Sequence, residues 1–185
     1  EIARAVGEML AERAAAALDA QAAWDAVPPI EALRAGPLEV LVQNPFFIIT
    51  GTQGVFGRRA FESKPDGTRT ITTEVNAIRI GNATIAVTPN ELDPQIGNLY
   101  RARMTEADHR FVAGLGNDEI GYQMPAAKFN PTCHQCWGYV LQGDEDNCPL
   151  AATLDCGTVF INNIGDQADP LFQSAMTEIL DTLHD

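Results

Sequence analysis

The segment from Thr70 to Leu115 constrains the fold more than any other. Thr70–Ile80 is β-branched and extended, Gly81-Asn82 is a two-residue hairpin signal, and Ala83–Val87 continues as a second strand. Thr88-Pro89-Asn90 breaks that strand. A helical pattern follows from about Leu92 to Met104, with Ile96, Leu99, Tyr100 and Met104 on one side. His109–Leu115 then reads as another strand, ended by Gly116-Asn117. Strand, helix, strand at this spacing predicts a βαβ unit with parallel strands and a right-handed crossover. The expected fold is therefore α/β: a mixed sheet with covering helices, in one domain over residues 1–185.

Around this unit, residues 2–26 read as a helix, with Ile2, Val6, Met9, Leu10 and Leu18 at helical spacing and Pro28-Pro29 stopping it. Residues 38–42 and 46–50 read as strands. Residues 64–69 form a turn built on Pro65 and Gly67. Gly51–Gly57 is glycine-rich but lacks the lysine of a phosphate loop, so it reads as a flexible connection. Residues 120–157 show little periodicity and read as a long ordered loop. A last helix is expected with Asp169 as cap, Pro170 in first position, and Phe172, Met176, Ile179, Leu180 and Leu183 along one face.

Composition narrows the function. Twelve basic against 25 acidic residues give a net charge of -13. That balance argues against nucleic acid or an anionic membrane surface as partner. No apolar run of eighteen residues is present, so no transmembrane segment is expected. No signal-peptide pattern opens the chain. It starts abruptly inside helical sequence at Glu1, as a fragment or processing product does.

The βαβ unit places two oxygen donors together. Glu91 follows one strand and Tyr122 lies in the loop after the next, at the carboxyl edge where α/β sheets bind ligands. A metal with an open position accepts such donors, and zinc would acidify a bound water and polarise an amide carbonyl. On the residues alone, Glu91 reads more simply as an acidic residue in the first turn of a helix, and Tyr122 as a packed aromatic with a satisfied hydroxyl.

Residues 73–91, ending in Pro89-Asn90-Glu91, resemble the neutral ceramidase pattern of a hairpin running into a Pro-Gly-Glu turn. Asn90 stands where that family has glycine, and asparagine tolerates left-handed backbone angles. Phe111–Tyr122 resembles the same family's strand ending in Gly-Leu-x-Asn, with a tyrosine five residues later. The resemblance implies a zinc amidohydrolase in which Glu91 and Tyr122 ligate catalytic zinc together with two histidines. Those histidines, and a serine-containing motif, come from an earlier part of the catalytic domain. An N-terminal segment or separate chain is thus the implied partner. The implied substrate is ceramide-like or another N-acyl compound, and Tyr122 also steadies charge during catalysis. His109, His134 and His184 fall in no matching motif, and Gln123–Phe129 replaces the tyrosine-rich stretch expected after the ligand.

Cys133, Cys136, Cys148 and Cys156 lie in one stretch and read as two disulfides or a four-thiolate zinc site. The secreted, extracellular or periplasmic location typical of such enzymes favours disulfides, each worth about 2–4 kcal/mol in pinning the loop. A redox CxxC is a poorer fit in loop sequence. Asn82-Ala83-Thr84 is a glycosylation sequon in a tight hairpin, and acidic 143–147 reads as a solvated loop. Two other functions stay open: a non-catalytic secreted binding module with a disulfide- or zinc-pinned loop, and an esterase on the same scaffold.

Overall fold

A computed structural model describes residues 1–20, 26–55, 61–150 and 162–184. The fold is α/β, a mixed sheet with covering helices. Strand β1 (Ile30–Leu41) pairs antiparallel with β3 (Arg69–Ile80), which pairs antiparallel with β4 (Ala83–Val87). The short β2 (Glu62–Ser63) also joins β3. The expected hairpin turn falls at Gly81-Asn82, where Gly81 has a φ of 57°. Strand β4 then pairs in parallel with β6 (His109–Ala113), in register from Ala83↔His109 to Val87↔Ala113. The crossover between them is α3 (Pro94–Arg103). The sequence-predicted βαβ unit is present.

Burial alternates along the sheet as a pleat with one covered face demands. Val75 and Ala77 in β3, and Thr84 and Ala86 in β4, are buried, while their neighbours are half-exposed. The final helix α5 (Ala168–His184) covers that face, packing on β1, β3 and α3. Phe172, Met176, Ile179, Leu180 and Leu183 are all buried, as the spacing predicts. The cap differs from expectation. The helix begins at Ala168, so Pro170 is not its first residue, and Asp169 turns inward.

Asp169 Oδ1 accepts from Gln123 Nε2 (3.1 Å) and Gln173 Nε2 (2.7 Å), while Oδ2 accepts from the Ala126 amide (3.0 Å). Gln123 Nε2 also reaches the Tyr100 hydroxyl at 3.3 Å. Burial is the main cause holding the Tyr100 phenol far above its ordinary pKa, so it stays neutral. Asp169→Ala removes the acceptor shared by three donors, of which the Gln123 amide is fully buried. We expect about 3 kcal/mol of lost stability, read by chemical denaturation.

Several elements depart from the sequence reading. Residues 46–50 are not a strand but part of helix α2 (Pro45–Thr52). Asn44 caps it, accepting from the Phe46 and Phe47 amides at 3.0 and 3.4 Å, and Pro45 opens it. Ile96 and Tyr100 in α3, with Met104 at its C-cap, mark a buried side, but Leu99 is 52% exposed. Helix α1 (Ile2–Asp19) forms, yet none of its residues is buried, so its apolar stripe packs on nothing among the described residues. Its expected last turn, 21–25, lies outside the described residues. None of the described helices is long and apolar enough to cross a membrane.

The stretch after Gln123 holds short turns at Ala126–Lys128, Pro131–Cys136 and Glu145–Asn147, with a four-residue helix α4 (Trp137–Val140). Cys136 and Cys148 form a disulfide with Cα atoms 5.5 Å apart, so those two sulfurs are not thiolates for a zinc site. Cys156 and the rest of 151–161 lie outside the described residues. Cys133, Cys136 and Cys148 head a small core of their own with Tyr139 and Leu150.

Candidate active site

The carboxyl ends of β4 and β6 run into a second, two-stranded parallel sheet. Strand β5 (Glu91–Leu92) pairs with β7 (Tyr122–Gln123), and the register sets Glu91 directly against Tyr122. The two sequence-predicted ligands therefore sit on small strands of their own beyond the main sheet. Glu91 is not in the first turn of α3, which begins at Pro94 behind the Asp93 cap. The macrodipole reading of Glu91 is thereby set aside.

Backbone bonds hold this pair in place. The Glu91 amide donates to Gly121 O (3.2 Å), Asp93 to Gln123 O (2.8 Å), and Tyr122 to Asn162 O (2.8 Å). Asn90 contributes through its side chain. It is fully buried, its φ is not positive, and its Nδ2 donates to Gly121 O at 3.2 Å. Asparagine is thus there for its amide, not for a left-handed turn.

The left-handed residues lie in the loop after β6 instead. Leu115 (φ 56°) and Asn117 (φ 70°) flank Gly116, where a Cβ would meet Val87 Cγ1 at 2.1 Å. Such backbone is costly for non-glycine residues and persists only where the surroundings enforce it. Here Leu115 N donates to Asn90 O (3.0 Å), Gly116 N to Thr88 O (2.9 Å), and Ile120 N to Pro89 O (3.1 Å). Thr73 Oγ1 adds a 2.7 Å bond to Asp118 Oδ2.

Glu91 and Tyr122 open onto a cavity of about 520 Å³. Its walls are apolar: Phe46 and Phe47 from α2, Phe61, Ile71, Ile120 and Ile164. Leu115, Glu119 and Glu91, all exposed, also line it. Phe46 also packs on Trp137, ring centroids 5.9 Å apart, which ties the disulfide-bearing segment to the cavity wall.

Partial desolvation, then the negative charge of Glu91 and hydrogen bonding to it, raise the Tyr122 pKa above its ordinary 10.0. The phenol is protonated at neutral pH. Because the folded value exceeds the unfolded one, the contribution of Tyr122 to stability is complete below pH 10 and declines as pH rises through the folded pKa. Glu91→Gln should shift the Tyr122 titration downward, measured by tyrosinate absorbance with Tyr122→Phe as the blank. An unmoved titration means that the two groups do not interact.

The three histidines are elsewhere. His109 is exposed on β6, and His184 Nε2 lies 3.5 Å from Thr84 Oγ1. His134 packs edge-on against Phe129 at 5.7 Å, and burial lowers its pKa. Among the described residues, no three His, Cys, Asp or Glu side chains converge as a metal site needs. Glu91 and Tyr122 are two adjacent oxygen donors, and a metal held by them would need further ligands from outside the described residues. Sequence reading missed Phe46, Phe47 and Glu119. The Asn44-Pro45 cap signal could have found the first two; Glu119 carries no signal beyond its place after a parallel strand.

No protein-family model matches the chain, and neither does any curated protein. Among solved structures, a chain titled "Ceramidase complexed with C2" is similar at 15% sequence identity and a TM-score of 0.40. The alignment covers 62% of the present chain and 15% of that one.

Proposed function

We propose that this chain belongs to a zinc-dependent hydrolase of N-acyl amides, with Glu91 and Tyr122 as two metal ligands. The observation that carries this reading is the direct cross-strand pairing of Glu91 with Tyr122 at the mouth of an apolar cavity. An N-terminal segment of the same catalytic domain supplies the imidazole ligands. A zinc ion bound there supplies a Lewis acid for the scissile carbonyl and a water of lowered pKa. The chain's own residues do the rest. Phe46, Phe47 and Phe61 hold the apolar part of the substrate and exclude water around it. Tyr122 also steadies the charge that develops on the carbonyl oxygen. A lipid-like N-acyl substrate suits this lining, and the Cys136–Cys148 disulfide supports an exported protein.

Glu91→Ala tests the reading in the protein complete with its N-terminal segment. Zinc content should fall, and amide hydrolysis should drop by more than about a hundredfold, beyond the ~10–100-fold typical of losing an outer-shell partner. A mutant with full zinc and full activity sinks the proposal.

A second reading is a non-catalytic binding module, favoured by the disulfide-bearing segment packed against the cavity through Trp137 and Phe46. On that reading Glu91→Ala leaves ligand affinity intact and there is no turnover to lose. An esterase on the same scaffold is separated from the amidase by comparing matched ester and amide substrates.

A further inference from the structure

Asn90 occupies the position from which both halves of the candidate site can be held at once. It is fully buried and directly precedes Glu91. Its carbonyl oxygen accepts from the Leu115 amide at 3.0 Å, in the loop after β6. Gly114 approaches that oxygen so closely that a Cβ there would lie 2.7 Å away. The side chain serves β7 instead. Asn90 Nδ2 donates to Gly121 O at 3.2 Å, and Gly121 directly precedes Tyr122.

The same Gly121 oxygen accepts from the Glu91 amide, also at 3.2 Å. A carbonyl has two lone pairs, so the backbone of Glu91 and the side chain of Asn90 share it without competing. Strands β5 and β7 pair over only Glu91↔Tyr122 and Leu92↔Gln123. So short a ladder has few bonds to hold its register, and a one-residue slip turns a side chain to the opposite face. The Asn90 amide adds a rung just ahead of it, joining the residue before Glu91 to the residue before Tyr122. Reversing the amide would set Oδ1 against Gly121 O, two acceptors with no proton between them, so its orientation is fixed. Among the described residues Oδ1 meets no donor, and the side chain acts through Nδ2 alone.

We propose that Asn90 is a positioning residue: its side-chain amide fixes the register of β5 on β7 and so presets the Glu91–Tyr122 pair before metal or substrate arrives. The use of that pair rests on the proposed hydrolase. The clamp itself requires neither metal nor an N-terminal segment. Groups held in place beforehand leave less ordering to be done on binding and keep the reacting atoms aligned.

The test follows amide hydrogen exchange by NMR in the full chain, stripped of metal with chelator. The Glu91 and Asp93 amides donate across the pairing, to Gly121 O and Gln123 O, and so report its opening. Asn90→Ala should speed exchange at both by about tenfold, the effect of losing one buried hydrogen bond. The Val42 amide, bonded to Arg69 O in the main sheet, should change by less than about twofold. Asn90→Leu keeps a branched side chain without the donor and should reproduce the result, which covers the case of an alanine variant that does not fold. In the protein complete with its N-terminal segment, Asn90→Ala should lower kcat about tenfold at unchanged KM. Unchanged exchange at Glu91 and Asp93 overturns the proposal. Equal acceleration at Val42 does so too, since it marks a general loss of stability, and so does a full kcat. A wild type that neither holds zinc nor turns over substrate counts against the hydrolase alone, and the exchange rates still decide the role of Asn90.

Discussion

Gly121→Ala is expected to destabilise the protein by about 4 kcal/mol and to open the contact between β7 and Asn162-Asn163. Two separate costs combine. Gly121 has a φ of 88°, where a non-glycine residue pays roughly 1–2 kcal/mol. Its added Cβ would also lie 2.2 Å from Asn162 O and 3.0 Å from the Phe47 ring. Relieving that overlap means moving backbone, at a further ~1–3 kcal/mol. The displaced oxygen is the acceptor of the Tyr122 amide, so the bond that seats Tyr122 is lost with it. Gly67→Ala separates the two costs. Gly67 has a φ of 87° but nothing within 4 Å of the added carbon, so it should lose only the backbone part. Equal losses in the two variants, read from urea unfolding, count against the steric component.

Phe172→Ala should be about as damaging, at roughly 4 kcal/mol. Phe172 is fully buried on the face of α5 that covers the sheet, in the cluster holding Val75, Ile96, Tyr100 and Met176. Truncation leaves a void between the helix and the sheet, and the neighbouring strands are held by their ladders and cannot close it. The denaturation midpoint should fall with an unchanged slope. Leu99→Ala is the comparison: a helical leucine of similar apolar character, 52% exposed, should change stability by less than about 1 kcal/mol. A small loss at Phe172 would mean that α5 does not pack on the sheet as described.

Leu99 also shows where sequence legibility ends. Periodicity groups it with Ile96, Tyr100 and Met104, but the stripe facing the core is narrower than the stripe of apolar residues. The hairpin and the βαβ crossover were readable because local turn chemistry and hydrophobic period agree there. Residues 46–50 were misread because Phe, Ile and Thr favour strands; the Asn44-Pro45 cap outweighs that preference. The Glu91–Tyr122 edge was legible as a strand-end argument. Strands β5 and β7 were not, since two-residue pairings come from the tertiary arrangement and leave no period in the chain. Asp169 looked like a helix cap for a sound local reason, and the buried amide of Gln123 is what drew it inward.

Tyr122 and Gln123 are consecutive in β7, so their side chains leave the strand in opposite directions: one toward the cavity, the other into the network with Asp169 and Tyr100. On the proposed hydrolase reading, a mutational screen scored on activity would therefore return Gln123, Asp169 and Gln173 alongside Glu91 and Tyr122, and the five would look like one catalytic set. Scoring the same library for abundance would split it. Losses at Gln123, Asp169 and Gln173 should follow the amount of folded protein, whereas losses at Glu91 should occur at normal abundance.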